Sequence, residues 1–332
     1  MRKPDWLRTA VPSGAGFEAT NERLRACGVN TVCSSARCPN LSDCWGRGTA
    51  TFMILGDTCT RHCRFCAVAT GNPHGAVDET EPARVAQAVT ELGLRYVVLT
   101  SVDRDDLSDL GAGSFVATLQ ALRSLRVASG SDKSDRSDRS DTPPRKRSAV
   151  SRARVRVEVL TPDFGGREAL IEQVADAGPD VFGHNLETIE RLTPQVRDRR
   201  ASYRSSLTLL EAVKRLAPDM TTKSGLMVGL GETGDENRQA MRDLRFVGCD
   251  IVTIGQYLQP DRRCLPVERY VTPEEFVALE RDALAMGFKA AFCGPLVRSS
   301  FHAEEVAAAS ACETNPPLDP LHCPTGAAEV TP

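Results

Sequence analysis

The chain has 332 residues, of which 41% are hydrophobic and 26% charged, and its formal net charge is −3. This length allows one large domain or two ordinary ones with a substantial core, which excludes a disulfide-stapled miniprotein. The nearly balanced charge gives no global electrostatic reason to expect nucleic acid or a membrane surface as a partner. No apolar run approaches the ~18 residues that span a bilayer, so we expect a cytoplasmic protein.

The first informative feature along the chain is a cluster of six of its twelve cysteines between residues 33 and 66. In a reducing cytosol, clustered cysteines are more often metal ligands or catalytic thiols than disulfides. The upstream triplet has the spacing C-x4-C-x5-C: Cys33, Cys38 and Cys44. The downstream triplet has the spacing C-x3-C-x2-C: Cys59, Cys63 and Cys66.

From residue 50 onward, short β-rich runs alternate with helical patterns, which predicts βα units and a parallel sheet. The predicted strands are 50–55, 95–100, 155–160, 180–185, 222–229 and 250–255. The predicted helices are 81–93, 166–178, 203–217, 235–248 and 272–287. Six such units favour α/β architecture as a partial (β/α)6 TIM-type barrel over an open doubly wound sheet. In either fold, chemistry collects at the carboxyl ends of the strands, and the downstream triplet follows the first strand closely.

Two segments are predicted to lie outside the folded core. Residues 129–148 form a Ser/Asp/Arg-rich low-complexity tract, which we interpret as a mobile loop between a helix and the third strand. The tail from residue 312 to 332 is rich in proline and is expected to be irregular.

The spacing of the triplets argues against zinc. Structural zinc sites are four-coordinate and usually pair two C-x2-C knuckles, whereas only one C-x2-C occurs here. Three tightly spaced thiolates suit three corners of a [4Fe-4S] cube, and the missing fourth ligand leaves one iron open. An open iron can chelate the amino and carboxylate groups of S-adenosylmethionine and pass an electron into its sulfonium.

The string "CTRHCRFC" after the first strand resembles the signature of radical S-adenosylmethionine enzymes, with the downstream triplet as cluster ligands. Together with the upstream triplet it resembles the lipoyl synthase family, in which C-x4-C-x5-C holds a second, auxiliary [4Fe-4S] cluster. The resemblance also includes "KPDWLR", "TSVDRDDLSDLGAGSF", "PDFGG", "TKSGLMVGLGET" and "GPLVRSSFHAEE", and covers about residues 3–305.

The resemblance also implies a fourth ligand for the auxiliary cluster. In that family it is a serine of an R-S-S-Y motif near the C-terminus. The matching string here is "RSSF", which gives Ser300, with Ser299 as the alternative. An oxygen ligand is weak, which makes sense if the cluster must come apart to donate sulfur.

The resemblance implies a sulfurtransferase reaction with two [4Fe-4S] clusters and S-adenosylmethionine as cosubstrate. The site cluster, once reduced, generates a 5′-deoxyadenosyl radical that abstracts hydrogen from C6 and C8 of a protein-bound octanoyl-lysine. Sulfur from the auxiliary cluster then enters at each carbon, giving the lipoyl group. Expected partners are octanoylated carrier domains, such as 2-oxoacid dehydrogenase E2 subunits and glycine cleavage H protein, and a reductant such as ferredoxin or flavodoxin. No side chain is assigned a catalytic role of its own.

Five further residues are predicted to contact S-adenosylmethionine. The string "GLMVGLGE", ending at Glu232, resembles the strand that lies along the adenine in radical enzymes. Asn185 and Lys223 are predicted at strand ends, where they would meet the ribose or the methionyl carboxylate. Ser101 and Asp103 in "TSVDRDD" are assigned in the same way.

The implied organisation has four parts. Residues 1–48 form an N-terminal extension with the upstream triplet, 49–292 the barrel, 293–311 a C-terminal segment with the serine ligand, and 312–332 the tail.

The sequence departs from the family pattern at three places. Cys264 replaces a common His, Phe301 replaces Tyr, and "SSAR" replaces an acidic pair after Cys33. Cys27 lies close enough to Cys33 to compete as a ligand.

Two rival interpretations remain open at this point. Another sulfur-inserting radical enzyme, of the biotin synthase or methylthiotransferase kind, would share the downstream triplet but not the pairing of C-x4-C-x5-C with "RSSF". A zinc-binding or cluster-carrying scaffold without catalysis is the rival from a different class.

Overall fold

The computed structural model describes residues 2–8, 14–35, 38, 40, 44–45, 51–128 and 152–300. Its main sheet has seven parallel strands that pair in chain order. These are β1 Thr51–Ile54, β2 Tyr96–Ser101, β3 Arg156–Leu160, β4 Val181–Gly183, β5 Thr221–Val228, β6 Ile251–Gln256 and β7 Ala290–Gly294. All six predicted strands are confirmed. Because the strand order never reverses, the sheet is that of a partial barrel and not a doubly wound sheet.

The seventh strand was not predicted from the sequence. It runs parallel to β6, with Ala290 opposite Ile251 and Gly294 opposite Gly255. Its sequence, "AAFCG", contains no β-branched residue, so the local pattern for a strand is weak and pairing with β6 decides its conformation. The strand runs through residue 292, at which the sequence analysis ended the barrel.

Helices connect the strands, and each barrel helix buries one apolar face. The helices are α1 Ala15–Ala26, α2 Val32–Ser35, α3 Glu81–Leu92, α4 Ala112–Arg123, α5 Glu168–Asp176, α6 Thr193–Val196, α7 Tyr203–Leu216, α8 Gly234–Phe246 and α9 Pro273–Ala285. Three begin at reciprocal capping boxes, at Ser202, Thr233 and Thr272, which satisfy backbone N–H groups of the first turn. The five predicted helices are confirmed, and α4 is the helix that precedes the low-complexity tract.

Shorter elements complete the described chain. Three 3-10 helices lie at Asp5–Leu7, Phe164–Gly166 and Glu190–Leu192. A parallel pair, Thr58–Cys59 with Ala69–Thr70, encloses the downstream cysteine loop, and an antiparallel pair joins Arg126–Ala128 to Arg152–Arg154. Residues 129–148, Phe301 and the tail lie outside the described residues. Within the described ranges, no helix is both long and apolar enough to cross a bilayer.

The barrel interior contains a buried ion pair that involves one of the predicted cofactor contacts. Lys223 Nζ lies 2.8 and 3.1 Å from the two carboxylate oxygens of Glu158, and both side chains are 2% exposed. The Tyr96 hydroxyl donates to the same carboxylate at 2.9 Å. Lys223 lies near the amino end of β5, whereas chemistry in this fold collects at the carboxyl ends. Its contacts therefore assign it to the core and give no support to a role in binding S-adenosylmethionine.

We expect Lys223→Met to lower the free energy of unfolding by about 3–5 kcal/mol, because it leaves the Glu158 carboxylate buried without a cation. The double variant Lys223→Met/Glu158→Gln removes both charges and should recover much of that loss. Urea unfolding followed by circular dichroism measures both. Equal losses in the single and double variants would contradict the ion-pair account.

We also expect the fold to lose stability in mild acid through His184. Burial lowers the pKa of this imidazole from 6.5 to about 4, with Arg197 acting in the same direction. Its ring nitrogens contact Thr161 O and Ser206 Oγ, both at 2.9 Å. Since the unfolded chain binds the proton first, this contribution is complete above about pH 6.5 and is lost as the pH falls toward 4. His184→Gln should flatten the dependence of urea midpoint on pH in this window, and an unchanged slope would contradict the assignment.

Candidate active site

A cavity of about 560 Å³ opens at the carboxyl ends of the strands and brings the two triplets together. Its lining includes the downstream triplet on the loop after β1 and two members of the upstream triplet. The segment after β7 closes another side. The ligand candidates in the lining are Cys33, Cys38, Cys59, Cys63, Cys66, Ser299 and Ser300.

Each sulfur of the downstream triplet accepts a hydrogen bond from the backbone. Arg61 N lies 3.4 Å from Cys59 Sγ, and Val68 N lies 3.5 Å from Cys66 Sγ. The third donor lies far along the chain, where Asp198 N is 3.3 Å from Cys63 Sγ. Such N–H···S contacts stabilise negative charge on sulfur and are typical of iron–sulfur sites.

Without a cationic group, these thiols would hold their protons. Burial raises the pKa of Cys59 and Cys63 to about 12 and that of Cys66 to about 11. Metal binding requires thiolates, so iron would have to displace the protons. Among the described side chains, no three His, Cys, Asp or Glu residues converge closely enough to enclose one metal ion. Zinc draws sulfur to about 2.3 Å, whereas a [4Fe-4S] cube holds each thiolate on a different iron, so separated thiols fit the cube.

The loop that carries this triplet is anchored by Arg61, a residue that the sequence analysis did not assign. Its guanidinium is bidentate to Asp163, with both contacts at 2.7 Å, and also bonds Asp105 at 2.9–3.3 Å. Asp103 lies 3.3 Å away. Because these carboxylates follow β2 and β3, Arg61 ties the cysteine loop to two strand ends. Arg61 and its carboxylate partners lie in the sequence strings "TRHC", "DRDD" and "PDFGG". No local pattern in these strings predicts that the arginine contacts the carboxylates.

A second anchor comes from the segment after α6. The Asp198 carboxylate accepts a hydrogen bond from His62 N at 2.8 Å, while its own backbone N–H contacts Cys63. Arg200 donates to Thr60 O at 2.6 Å and pairs with Asp198 at 2.8 Å. The cysteine loop is therefore held by two separate groups of contacts, those of Arg61 and those of Asp198 and Arg200.

Three of the five predicted cofactor contacts line the cavity. Ser101 Oγ is buried and has no hydrogen-bond partner in the part of the chain that the structure describes. Burial raises the pKa of Asp103 to about 6, although the Arg61 charge opposes this. The Asn185 amide donates to Glu187 Oε1 at 3.1 Å and contacts Ser299 Oγ at 3.4 Å. Ser101, Asp103 and Asn185 thus present polar groups to the site.

The structure adds two charged residues that sequence reasoning missed. Glu187 and Arg197 line a smaller cavity of about 140 Å³ beside the triplet, together with Ser101, Asp103 and Asn185. Glu187 has a positive φ of 69°, which a residue other than glycine adopts only when its surroundings impose it. Burial raises the pKa of its carboxyl, and Arg197 opposes that rise. Glu187 could have been predicted as a site residue, because it follows Asn185 in the string "HNLE". No local sequence pattern indicates Arg197.

Glu232 is placed elsewhere, like Lys223. Its carboxylate accepts hydrogen bonds from Gly229 N at 2.6 Å and Leu230 N at 2.9 Å, and it does not line the cavity. The residue therefore closes the turn after β5. Its predicted contact with S-adenosylmethionine has no support in these contacts, although Gly225 and Met227 of the same string do line the cavity.

Two members of the upstream triplet, Cys33 and Cys38, line another wall of the same cavity. Cys33 is in α2 and Cys38 N donates to Cys33 O at 3.1 Å, so these two are neighbours in space. Burial raises the pKa of both thiols. Cys44 is partly buried next to Trp45, whose ring stacks on Phe17, and it does not line the cavity.

The segment Leu296–Ser300 reaches this wall because three contacts hold it. Asn40 Nδ2 donates to Leu296 O at 2.7 Å, which joins the upstream cysteine segment to the C-terminal segment. A side-chain carbon on Gly255 would lie 2.0 Å from Val297 O, so glycine at the end of β6 is what admits the segment. The third contact is that of Asn185 with Ser299. Ser300 is thereby placed in the same cavity as Cys33 and Cys38.

Two other cysteines were raised by the sequence analysis. The Cys27 thiol contacts Glu91 Oε2 at 3.5 Å and does not line the cavity, so its contacts do not support it as a ligand. Cys264, which stands where the family commonly has His, contacts Cys66 O at 3.4 Å. The replacement of His by Cys264 therefore lies in contact with the backbone of the downstream triplet.

The fold and these motifs agree with known proteins. The family model described as "Radical SAM superfamily" matches residues 53–244. The lipoyl synthase of Pyrobaculum calidifontis is 53% identical over 92% of this chain and 96% of its own length. The lipoyl synthase of Thermus thermophilus is 49% identical over 92% of this chain and 86% of its own.

A solved structure supports the fold alone. The FeFe-hydrogenase maturase HydG from Carboxydothermus hydrogenoformans superposes with a TM-score of 0.51 at 14% identity over 77% of this chain. The match spans only 55% of the HydG chain. With half or more of the chain matched by the superfamily and relatives near 50% identity over nine-tenths of it, the chain belongs to the lipoyl synthase family of radical S-adenosylmethionine enzymes.

Proposed function

We propose that this chain is a sulfurtransferase that inserts two sulfur atoms at C6 and C8 of a protein-bound octanoyl-lysine to form the lipoyl group. The observation that carries the proposal is that one cavity is lined by cysteines of both triplets and by Ser300. A radical generated at one triplet and sulfur held at the other would both reach a substrate in that cavity. The identity to lipoyl synthases over nine-tenths of the chain supports the same reaction.

Membership of the radical S-adenosylmethionine superfamily implies that cosubstrate and a [4Fe-4S] cluster. We assign the cluster to Cys59, Cys63 and Cys66. When bound, such a cluster supplies an electron to S-adenosylmethionine at its open iron and so yields the 5′-deoxyadenosyl radical. The protein's part is to orient the three thiols, which the backbone donors and the Arg61 anchor do.

A second [4Fe-4S] cluster is the finer part of the proposal. We assign it to Cys33, Cys38, Cys44 and Ser300 and regard it as the source of sulfur. Its support is the meeting of the upstream cysteines with the segment Leu296–Ser300, which the Asn40 contact and Gly255 bring about. An alkoxide or hydroxyl ligand binds iron more weakly than a fourth thiolate, which suits a cluster that must release sulfide.

Charge complementarity supports a site for the methionyl group of S-adenosylmethionine. This group carries an ammonium and a carboxylate, and the smaller cavity offers carboxylates of Asp103 and Glu187 and the guanidinium of Arg197. The unpartnered Ser101 hydroxyl and the Asn185 amide can supply hydrogen bonds to the polar part of the cosubstrate. Lys223 and Glu232 are left out of this assignment because of their contacts in the core.

The rest of the large cavity suits an acyl chain. Apolar side chains on several elements line it, including Val32, Met53, Leu226 and Met227. The substrate class implied by the family is an octanoylated carrier protein; we propose 2-oxoacid dehydrogenase E2 subunits and glycine cleavage H protein as carriers. Ferredoxin or flavodoxin as reductant, a cytoplasmic location and the boundaries 1–48, 49–292, 293–311 and 312–332 stay predictions.

The variants Cys38→Ala and Cys63→Ala should distinguish the functions of the two triplets. With reductant, S-adenosylmethionine and an octanoyl-lysyl peptide under anaerobic conditions, Cys63→Ala should form neither 5′-deoxyadenosine nor thiolated peptide. Cys38→Ala should still form 5′-deoxyadenosine but no thiolated peptide, because the radical is made and the sulfur source is lost. Mass spectrometry measures both products.

Purified protein provides the control for that experiment. Two clusters require about eight iron and eight sulfide per chain, and Cys38→Ala should keep about half of each. A colourless, zinc-loaded preparation would overturn the enzyme assignment. Formation of thiolated peptide by Cys38→Ala would overturn the assignment of the upstream triplet as the source of sulfur.

Glu187→Gln should weaken S-adenosylmethionine binding by about ten- to a hundredfold, because it removes a desolvated negative charge that faces the ammonium. Glu190→Gln is the matched control, since its side chain is 60% exposed and pairs with Arg204 outside the cavity. Equilibrium binding to the reconstituted protein measures the dissociation constant. Equal constants for the two variants would contradict the assignment of Glu187.

A further inference from the structure

Arg298 is a half-buried arginine in the cavity without a carboxylate partner among the described residues. Its Nη1 donates to Val297 O at 2.6 Å, which neutralises no charge. The same nitrogen would lie 3.1 Å from a side-chain carbon on Gly255, so the guanidinium sits against the end of β6. A cation in a desolvated setting needs a compensating anion.

Two buried arginines of the described barrel have carboxylate partners. Arg61 contacts three carboxylates, and Arg104 is paired with Asp106 at 2.8 Å. Arg197 lines the smaller cavity together with Asp103 and Glu187. Arg298 differs from these residues, because it lies on the segment that Asn40 joins to the upstream cysteines and lines the large cavity with Cys33 and Cys38.

A second cation lies on the same side of the cavity. Lys3, near the start of the chain, lines the cavity, and its charge and that of Arg298 repel each other. Two positive charges therefore line the cavity together with Cys33 and Cys38, whereas the Asp103 carboxylate lies 3.8 Å from Cys59 Sγ in the downstream triplet. Among the residues that the structure describes, neither cation is paired with a carboxylate.

We propose that Arg298 is a positioning residue of the upstream triplet, where its guanidinium is the counter-charge that retains an anionic iron–sulfur cluster, with Lys3 as a second, more exposed cation. This inference rests on the proposed function, because it takes the cluster at Cys33, Cys38 and Cys44 as given. Three thiolates and a serine oxygen make such a cluster anionic. Because the Arg298 guanidinium would attract the cluster without binding an iron, this attraction would persist when the cluster exchanges or loses one of its ligands.

The observations favour the cluster over the carboxylate of S-adenosylmethionine as the anion. Arg197 lines the smaller cavity beside Cys63, and Arg298 is not part of that lining. Arg298 instead lies on the segment that carries Ser300 and that Asn40 joins to the upstream cysteines. Binding of the cosubstrate carboxylate by Arg298 is the alternative that the experiment must separate.

The test uses the full chain with Cys59, Cys63 and Cys66 replaced by Ala, so that the upstream triplet alone can hold a cluster. In this background we compare Arg298→Met, Arg298→Lys and the control Arg263→Met. Arg263 is 84% exposed and paired with Asp261, so its loss should change nothing. After anaerobic reconstitution, we measure iron and sulfide content, the rate of iron release to bathophenanthroline, and the thermal midpoint of the metal-free protein.

We expect Arg298→Met to release iron at least about tenfold faster than the background chain, since a neighbouring opposite charge shifts even a protonation equilibrium by about one to three decades. Arg298→Lys should release iron at close to the background rate. The metal-free Arg298→Met protein should melt no earlier than the background, because it loses an unpaired cation. A packing role would instead lower its melting temperature.

The outcomes distinguish the inference from the function on which it rests. If the background chain holds no iron, the auxiliary cluster itself is overturned. If it holds about four iron and Arg298→Met releases them at the background rate, the inference alone is overturned. Unchanged iron release together with weaker S-adenosylmethionine binding by Arg298→Met in the otherwise intact chain would assign Arg298 to the cosubstrate. Early melting that Arg298→Lys does not restore would make it a packing residue.

Discussion

The site depends on the buried guanidinium of Arg61. This one side chain joins the loop of the downstream triplet to carboxylates that follow two different strands, with contacts of 2.7 Å to Asp163 and 2.9 Å to Asp105. Three carboxylates near one another would repel without it, and the guanidinium would be strongly destabilised without them. The loop has little regular structure of its own, so its sulfur atoms acquire fixed positions from this network and from Asp198.

The second constraint closes the cavity with segments from both ends of the chain. Gly255 leaves room for Val297 O, and Asn40 holds Leu296 O, so the segment after β7 lies against the upstream cysteines. The cavity is therefore assembled from an N-terminal segment, six strand ends and a C-terminal segment. This arrangement gives all three downstream cysteines and two of the upstream cysteines, Cys33 and Cys38, access to one volume. Arg197 lies beside the downstream set, and Arg298 lies on the segment next to the upstream set.

Much of the fold was predictable because its signals are local. The six predicted strands and five predicted helices follow from short β-rich runs and from apolar residues at helical spacing. The seventh strand escaped because "AAFCG" has a weak β pattern and takes its conformation from pairing with β6. Lys223 and Glu232 were assigned from neighbouring motif residues, but depth in the barrel decides their roles: one pairs with Glu158 in the core and the other closes a turn.

The sequence by itself determined the cysteine spacings, the alternation of strands and helices and the family to which they point, because each of these is a pattern over a few consecutive residues. It also placed Ser101, Asp103 and Asn185 after strands, where parallel packing brings side chains to one edge of the sheet. Only the tertiary structure decided that Arg61 gathers Asp105 and Asp163, that Glu187 and Arg197 face the same small cavity, and that Arg298 lacks a carboxylate partner among the described residues. These facts depend on which charged groups the fold brings together, as where Arg61 meets Asp105 and Asp163 across 44 and 102 residues of chain. Desolvation, which local sequence does not encode, decides what each charge does there.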